Sequence, residues 1–168
     1  FDLAYRSVLD VQGVGSGFDL AAAIWGGPLR FVTGGKEIEP LKTKKLPLVV
    51  GYTGIKADTT TLVKMVSQKR EGSHEVVEEM FDQVELLVNV ARVGLEEGNW
   101  EQVGKLMNKN QKELETLGVS TIELSRLITA AREAGAWGAK LSGAGGGDCM
   151  IALTDKPKVV GKAIAKAG

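Results

Sequence analysis

Lys140-Leu141-Ser142-Gly143-Ala144-Gly145-Gly146-Gly147-Asp148-Cys149 joins two short apolar runs, Ala136 to Leu141 and Cys149 to Leu153. Both runs have strand character, and the loop between them holds four glycines and one alanine at positions 143–147. Glycine costs backbone entropy and contributes no side chain, so core packing does not explain this composition. Two readings are open. The loop is a tight β-turn with a bulge, or it is a concave row of backbone N–H groups, a ready cradle for an anion such as phosphate. A strand follows it rather than a helix, which disfavours a dinucleotide-binding βαβ unit.

The rest of the chain sorts into elements around this loop. Upstream, Trp100 to Leu117 and Thr121 to Ala134 have helical periodicity, with Ser120 or Thr121 as a cap between them. Before these, His74 to Glu97 reads as one long helix with Val77, Met80, Phe81, Val84, Leu87, Val88 and Ala91 on one face. Gly72-Ser73 separates it from a shorter helix, Thr60 to Lys69, capped by Asp58 or Thr59. Leu46 to Tyr52 is a continuous apolar run with the pattern of a buried strand. Leu29 to Val32 and Lys36 to Leu41 flank Thr33-Gly34-Gly35 as a hairpin. Residues 1–11 and Phe18 to Ile24 read as helices, and Lys158 to Lys166 as a last one. The order predicts an α+β fold, with helices layered on one face of a largely antiparallel sheet. A domain boundary between Val66 and Ser73 is compatible with the pattern.

A second glycine-rich stretch, Gly13-Val14-Gly15-Ser16-Gly17-Phe18-Asp19, puts a carboxylate just beyond a glycine turn at the mouth of a helix. Such a carboxylate can take a proton from a hydroxyl or hold a metal, and a helix N-terminus is a favourable place for its charge. Alternatively Asp19 simply caps a helix starting at Leu20.

Lys140 to Asp148 resembles the third signature motif of the galactokinase, homoserine kinase, mevalonate kinase and phosphomevalonate kinase (GHMP) superfamily. Gly15-Ser16-Gly17-Phe18-Asp19, followed by Trp25-Gly26-Gly27-Pro28-Leu29-Arg30, is similar to a segment of the mevalonate kinase branch. So is Val49 to Val63, with its Thr-rich loop after a strand. The three matches fall in family order and span nearly the whole chain. The resemblance implies a ferredoxin-like C-terminal kinase domain with extra helices over residues 46–168. Residues 1–45 would be the last part of an N-terminal α/β domain.

It also implies a reaction, phosphoryl transfer from ATP to the hydroxyl of a small molecule, mevalonate foremost. Asp19 would be the catalytic base or the charge partner of a lysine. Ser16 would lie beside the phosphates or their Mg²⁺. Ser142, Gly143, Ala144, Gly145, Gly146 and Gly147 would frame the transferred phosphoryl group, and Thr59 would face the substrate. Lys56 is assigned here to a substrate carboxylate; some relatives carry a basic residue one position later, and the Ala57 of this chain is a departure that leaves the exact acceptor open. The family's Pro-x-x-x-Gly-Leu-Gly-Ser-Ser ATP signature and its N-terminal lysine do not occur in this sequence. Together with an amphipathic start at Phe1 that lacks a cap residue, this predicts a preceding half that supplies them. It also predicts poor ATP binding and little turnover by this chain alone, and self-association through the surface that half would cover. A homodimer is a further possibility. Another acceptor within the superfamily and a non-catalytic interaction module are the competing readings.

The remaining residues have blander explanations. His74, the single histidine, reads as a solvated group at a helix start, and Cys149, the single cysteine, as a small apolar strand residue. Asp148 either reaches a metal or, the favoured reading, fixes the loop through a backbone hydrogen bond. Trp25, Trp100 and Trp137 are expected in core or interface, Arg30 in a surface ion pair, and Lys42, Lys44 and Lys45 in a solvated loop. Lys plus Arg and Asp plus Glu are both 21, so charge gives no case for nucleic acid or anionic membrane as a partner. One cysteine excludes an intrachain disulfide and fits a cytoplasmic setting. No apolar run approaches the roughly 20 residues of a spanning helix.

Overall fold

The computed structural model describes residues 1–168. The chain divides into two compact units, Phe1–Lys44 and Lys45–Gly168. No helix is long and apolar enough to cross a membrane.

In the first unit, α1 (Asp2–Gln12) ends at Gly13 in the left-handed conformation, and α2 (Phe18–Trp25) starts after Gly17. Strands β1 (Leu29–Val32) and β2 (Glu37–Pro40) form the expected antiparallel hairpin, with Val32 opposite Glu37 across the turn Thr33–Gly35. Arg30 pairs with Glu37, as expected of a surface ion pair. Phe1, Tyr5, Trp25 and Phe31 cluster their rings. Trp25 nevertheless keeps 44% of its surface exposed.

The second unit contains β3 (Leu48–Tyr52), α3 (Thr59–Gly72), α4 (His74–Glu97), α5 (Trp100–Leu117), α6 (Ile122–Glu133), β4 (Gly138–Ser142), β5 (Cys149–Leu153) and α7 (Pro157–Ala167). The Gly72-Ser73 break thus falls inside this unit, between α3 and α4. The strands make one antiparallel sheet in the order β3-β5-β4. Strand alternation sends Ala139, Leu141, Met150 and Ala152 to one face, where Leu124, Leu127 and Ile128 of α6 and Val160 and Ile164 of α7 close the core. The fold class is α+β, with helices layered over one face of the sheet.

Two expectations need correction. The run Leu46 to Tyr52 predicts a strand buried on both faces, but Leu48, Val50 and Tyr52 are exposed and only Gly51 is fully buried. Helices cover one face of this sheet, and an apolar run cannot report which faces are covered. In α4, Val77 is fully buried as expected, yet Phe81 and Val88 remain exposed. The helix packs mainly against α3 and α5, so its buried stripe is narrower than its apolar one.

Helix α5 lies against the edge of β4 that faces away from β5. A Cβ on Gly104 would sit 2.6 Å from the Trp137 carbonyl oxygen, and one on Gly138 would meet the Gly104 backbone. Only glycine at both positions permits this backbone-to-backbone approach. It lets side chains of α5 take the place of a missing neighbour strand. Asn108 accepts from Ala139 N–H at 3.1 Å, and Gln111 from Leu141 N–H at 2.8 Å. Arg132 of α6 donates to the Ala139 carbonyl at 2.7 Å. Lys140 donates to the Leu141 carbonyl at 2.8 Å, completing an edge closed by side chains.

Candidate functional site

The loop 143–147, with Asp148 just beyond it, is held by two segments. Gly146 N–H donates to the Val119 carbonyl in the α5–α6 turn at 2.8 Å, and Asp148 N–H to the Ile55 carbonyl at 2.7 Å. The Asp148 carbonyl accepts from the Thr53 N–H at 2.9 Å and from the Thr53 hydroxyl at 3.1 Å. Asp148 is the one non-glycine residue with positive φ, at 53°. As expected, it fixes the loop through its backbone.

Close backbone approach, a usual reason for glycine, holds at two of the loop positions, and a side chain presses on a third. A Cβ on Gly145 would strike the Val119 carbonyl, on Gly146 would lie 2.6 Å from Leu62 Cδ1, and on Gly147 2.7 Å from the Ile55 carbonyl. The loop is glycine-rich because neighbouring backbone and side chains press against it. Gly143 differs, with φ of 84°, open space at its Cβ position and an exposed surface. With Gly146 and Asp148 engaged internally and Gly145 and Gly147 buried, exposed Gly143 and half-buried Ala144 are the loop residues open to a ligand.

The same contacts bring the start of α3 beside this loop. Asp58 caps α3 by accepting from the Thr61 hydroxyl at 2.7 Å and the Thr61 N–H at 3.1 Å. The hydroxyl bond first, then the N–H bond, hold the Asp58 carboxyl below the usual carboxylate range. Thr59 is the first helical residue, exposed, and Lys56 is exposed in the loop before it. The structure therefore brings Lys56, Thr59 and residues 142–147 together in one unit. A helix N-terminus beside a glycine loop doubles the supply of N–H groups and positive dipole available to an anion.

Lys140 is half-buried at the entrance of the loop. Burial lowers its pKa from the ordinary 10.5 to about 8.

Asp19 and Ser16 lie in the first unit. Asp19 does not cap α2, because the helix already starts at Phe18 with Gly17 as its N-cap. Its carboxylate is instead exposed in the first turn. Ser16 accepts from Phe18 N–H through its hydroxyl at 3.3 Å, and its carbonyl accepts from Gly34 N–H at 2.9 Å.

Sequence reasoning missed Gln111, Val119, Ile55 and Leu62, the supports of the loop. Gln111 alone left a trace, an amide on the same helical face as Val103 and Leu114, where an apolar residue belongs.

Residues 91–168 match the family described as GHMP kinases C terminal, and the chain carries a C-terminal domain of that class. More particularly, mevalonate kinases are among its relatives. That of Thermococcus gammatolerans is 44% identical over 172 residues, taking in 99% of this chain and 51% of the relative. That of Pyrococcus abyssi is 43% identical with the same coverage. The crystal structure of L. major mevalonate kinase in complex with R-mevalonate superposes with a TM-score of 0.83 at 32% identity, over 92% of this chain and 48% of that one. The chain spans about half the length of the curated relatives it matches.

Proposed function

We propose that this chain supplies the C-terminal half of an ATP-dependent kinase that phosphorylates the hydroxyl of mevalonate. The observation that carries this reading is the loop 143–147, clamped between the α5–α6 turn and the start of α3, with Gly143 exposed at its outer end. The identity to mevalonate kinases supports the choice of acceptor. In the reaction, the acceptor hydroxyl oxygen bonds to the γ-phosphorus as the bond to the bridging oxygen of ADP breaks. The hydroxyl proton passes to the exposed carboxylate of Asp19. Charge on the transferred phosphoryl group is met by the loop N–H groups and by the N-terminus of α3. Thr59 faces the acceptor, and Lys56 takes its carboxylate.

No group of three or more acidic, histidine or cysteine side chains is arranged to hold a metal ion. Ser16 offers a single hydroxyl. This donor set fits a Mg²⁺ that arrives on the nucleotide phosphates, with Ser16 beside it, and such an ion would neutralise phosphate charge. Ala57 leaves room for a second reading, a different acceptor within the same family.

The test is ATP-to-ADP turnover with Mg²⁺ and mevalonate. It compares this chain, the chain joined to the N-terminal half of a relative, and the Asp19→Ala variant of each. The reading expects activity in the joined protein alone, and its loss in the variant. Phosphorylation of another acceptor overturns the mevalonate assignment. No phosphorylation of any acceptor favours an interaction module.

A further inference from the structure

Gln111 is fully buried in α5, a costly place for an amide unless every polar atom is paired. Its pairing is complete and spans three elements. Its carbonyl oxygen accepts from Leu141 N–H at 2.8 Å, on the strand that leads into the loop. Its amino group donates to Glu115 at 3.0 Å and to the Ser120 hydroxyl at 3.1 Å. Ser120 lies 3.3 Å from the Ser125 hydroxyl of α6 and directly follows Val119, whose carbonyl holds Gly146 N–H. One side chain thus joins the strand entering the glycine loop to the turn that clamps the loop's far side.

From this geometry we infer that Gln111 is a positioning residue for the phosphate-binding loop. It acts through Leu141 and through the Ser120–Val119 turn, without touching the nucleotide. The inference rests on the kinase reading for its effect on ATP, but not for its effect on the loop. Asn108 provides an internal control. It lies one helical turn earlier and closes the same strand edge through Ala139 N–H, and it also donates to the Trp137 carbonyl at 3.2 Å. Neither contact reaches the loop or its clamp.

The experiment compares Gln111→Leu with Asn108→Leu, reading thermal stability, amide exchange at Gly146 in this chain, and KM for ATP and for acceptor in the joined protein. Both variants should lose stability. Only Gln111→Leu should speed Gly146 exchange, by about tenfold for the loss of one buried hydrogen bond. Only it should raise KM for ATP by a similar factor, leaving KM for the acceptor unchanged. If Gln111→Leu does not fold, Ser120→Ala cuts the link to the turn while Leu141 N–H stays paired, and a smaller change in the same direction is expected. Equal effects of the Gln111 and Asn108 variants on exchange and on KM would overturn the inference, leaving Gln111 as a fold-stabilising residue only. Selective loosening of Gly146 in a joined protein that does not use ATP would uphold the positioning role and sink the kinase reading.

Discussion

The two glycine-rich stretches present different groups at their surfaces. In Gly13–Gly17, the Gly13 N–H donates to the Leu9 carbonyl, and several carbonyl oxygens of the stretch are taken as well. The Tyr5 hydroxyl donates to the Gly15 carbonyl at 2.8 Å, and Gly34 N–H to that of Ser16. What the turn presents outward is a side chain, the Asp19 carboxylate. In Gly143–Gly147, the Val119 carbonyl takes the Gly146 N–H, and what exposed Gly143 presents outward is backbone alone. A stretch that presents a carboxylate suits proton transfer, and one that presents N–H groups suits anion binding. Under the proposed function, similar composition would serve two different roles, and the difference lies in what is exposed: the Asp19 carboxylate in the first stretch, the Gly143 backbone in the second.

Substitutions test this contrast. The largest effect is expected at Asp19. In the joined protein, Asp19→Asn should lower kcat by roughly 10²–10⁴-fold, the usual worth of a positioned base, without changing the melting temperature. A kcat within tenfold of the parent would remove Asp19 from the chemistry and reduce the first stretch to a helix start.

The second comparison sits within the glycine loop. Gly145→Ala meets both a positive φ and the Val119 carbonyl, so a loss of about 3 kcal/mol is expected in denaturant unfolding. Gly143→Ala meets only the positive φ and should cost about 1 kcal/mol. Equal costs would mean that the clamp at Val119 does not shape the loop.

Lys140 offers a pH test. Between about 8 and its ordinary 10.5, the folded chain holds fewer protons on this lysine than the unfolded chain. Stability should therefore rise with pH across that window. Unfolding titrations of Lys140→Met should lack this rise, and a rise that persists in the variant would locate the effect elsewhere.

The smallest effect concerns Asp58, at the helix that Leu62 presses against the loop. Its depressed carboxyl contributes stability fully above the ordinary value of 3.8, and loses that contribution as the pH falls through the lower folded value. Asp58→Ala should unfold at a slightly lower temperature than the parent at neutral pH, with the gap closing in acid. A gap independent of pH would show that the carboxylate is not the active part of the cap.

Much of the fold was legible because its elements are decided locally. The periodicity of His74 to Glu97 and the cap signals at Asp58 and Thr121 mark helices whose caps accept from Thr61 and Leu124 N–H in the structure. The apolar runs around the loop became β4 and β5 within two residues of expectation. The start of α2 was misjudged because Gly17 and Asp19 both suit a helix N-terminus and only backbone geometry separates them.

The site was legible as composition and opaque as mechanics. Composition and position singled out the glycines and Asp19, while Thr59 and Lys56 entered with the family resemblance. Tertiary structure decided why Gly145, Gly146 and Gly147 must be glycine, since the groups they avoid come from Val119, Leu62 and Ile55, each more than 20 residues away in the chain. It also decided that Leu48, Val50 and Tyr52 stay exposed, and that Gln111 is buried at full hydrogen-bond capacity. Backbone propensity and capping depend on near neighbours and can be read along a sequence. Close approach, burial and the choice of hydrogen-bond partner depend on which distant segments meet, and only the folded chain brings them together.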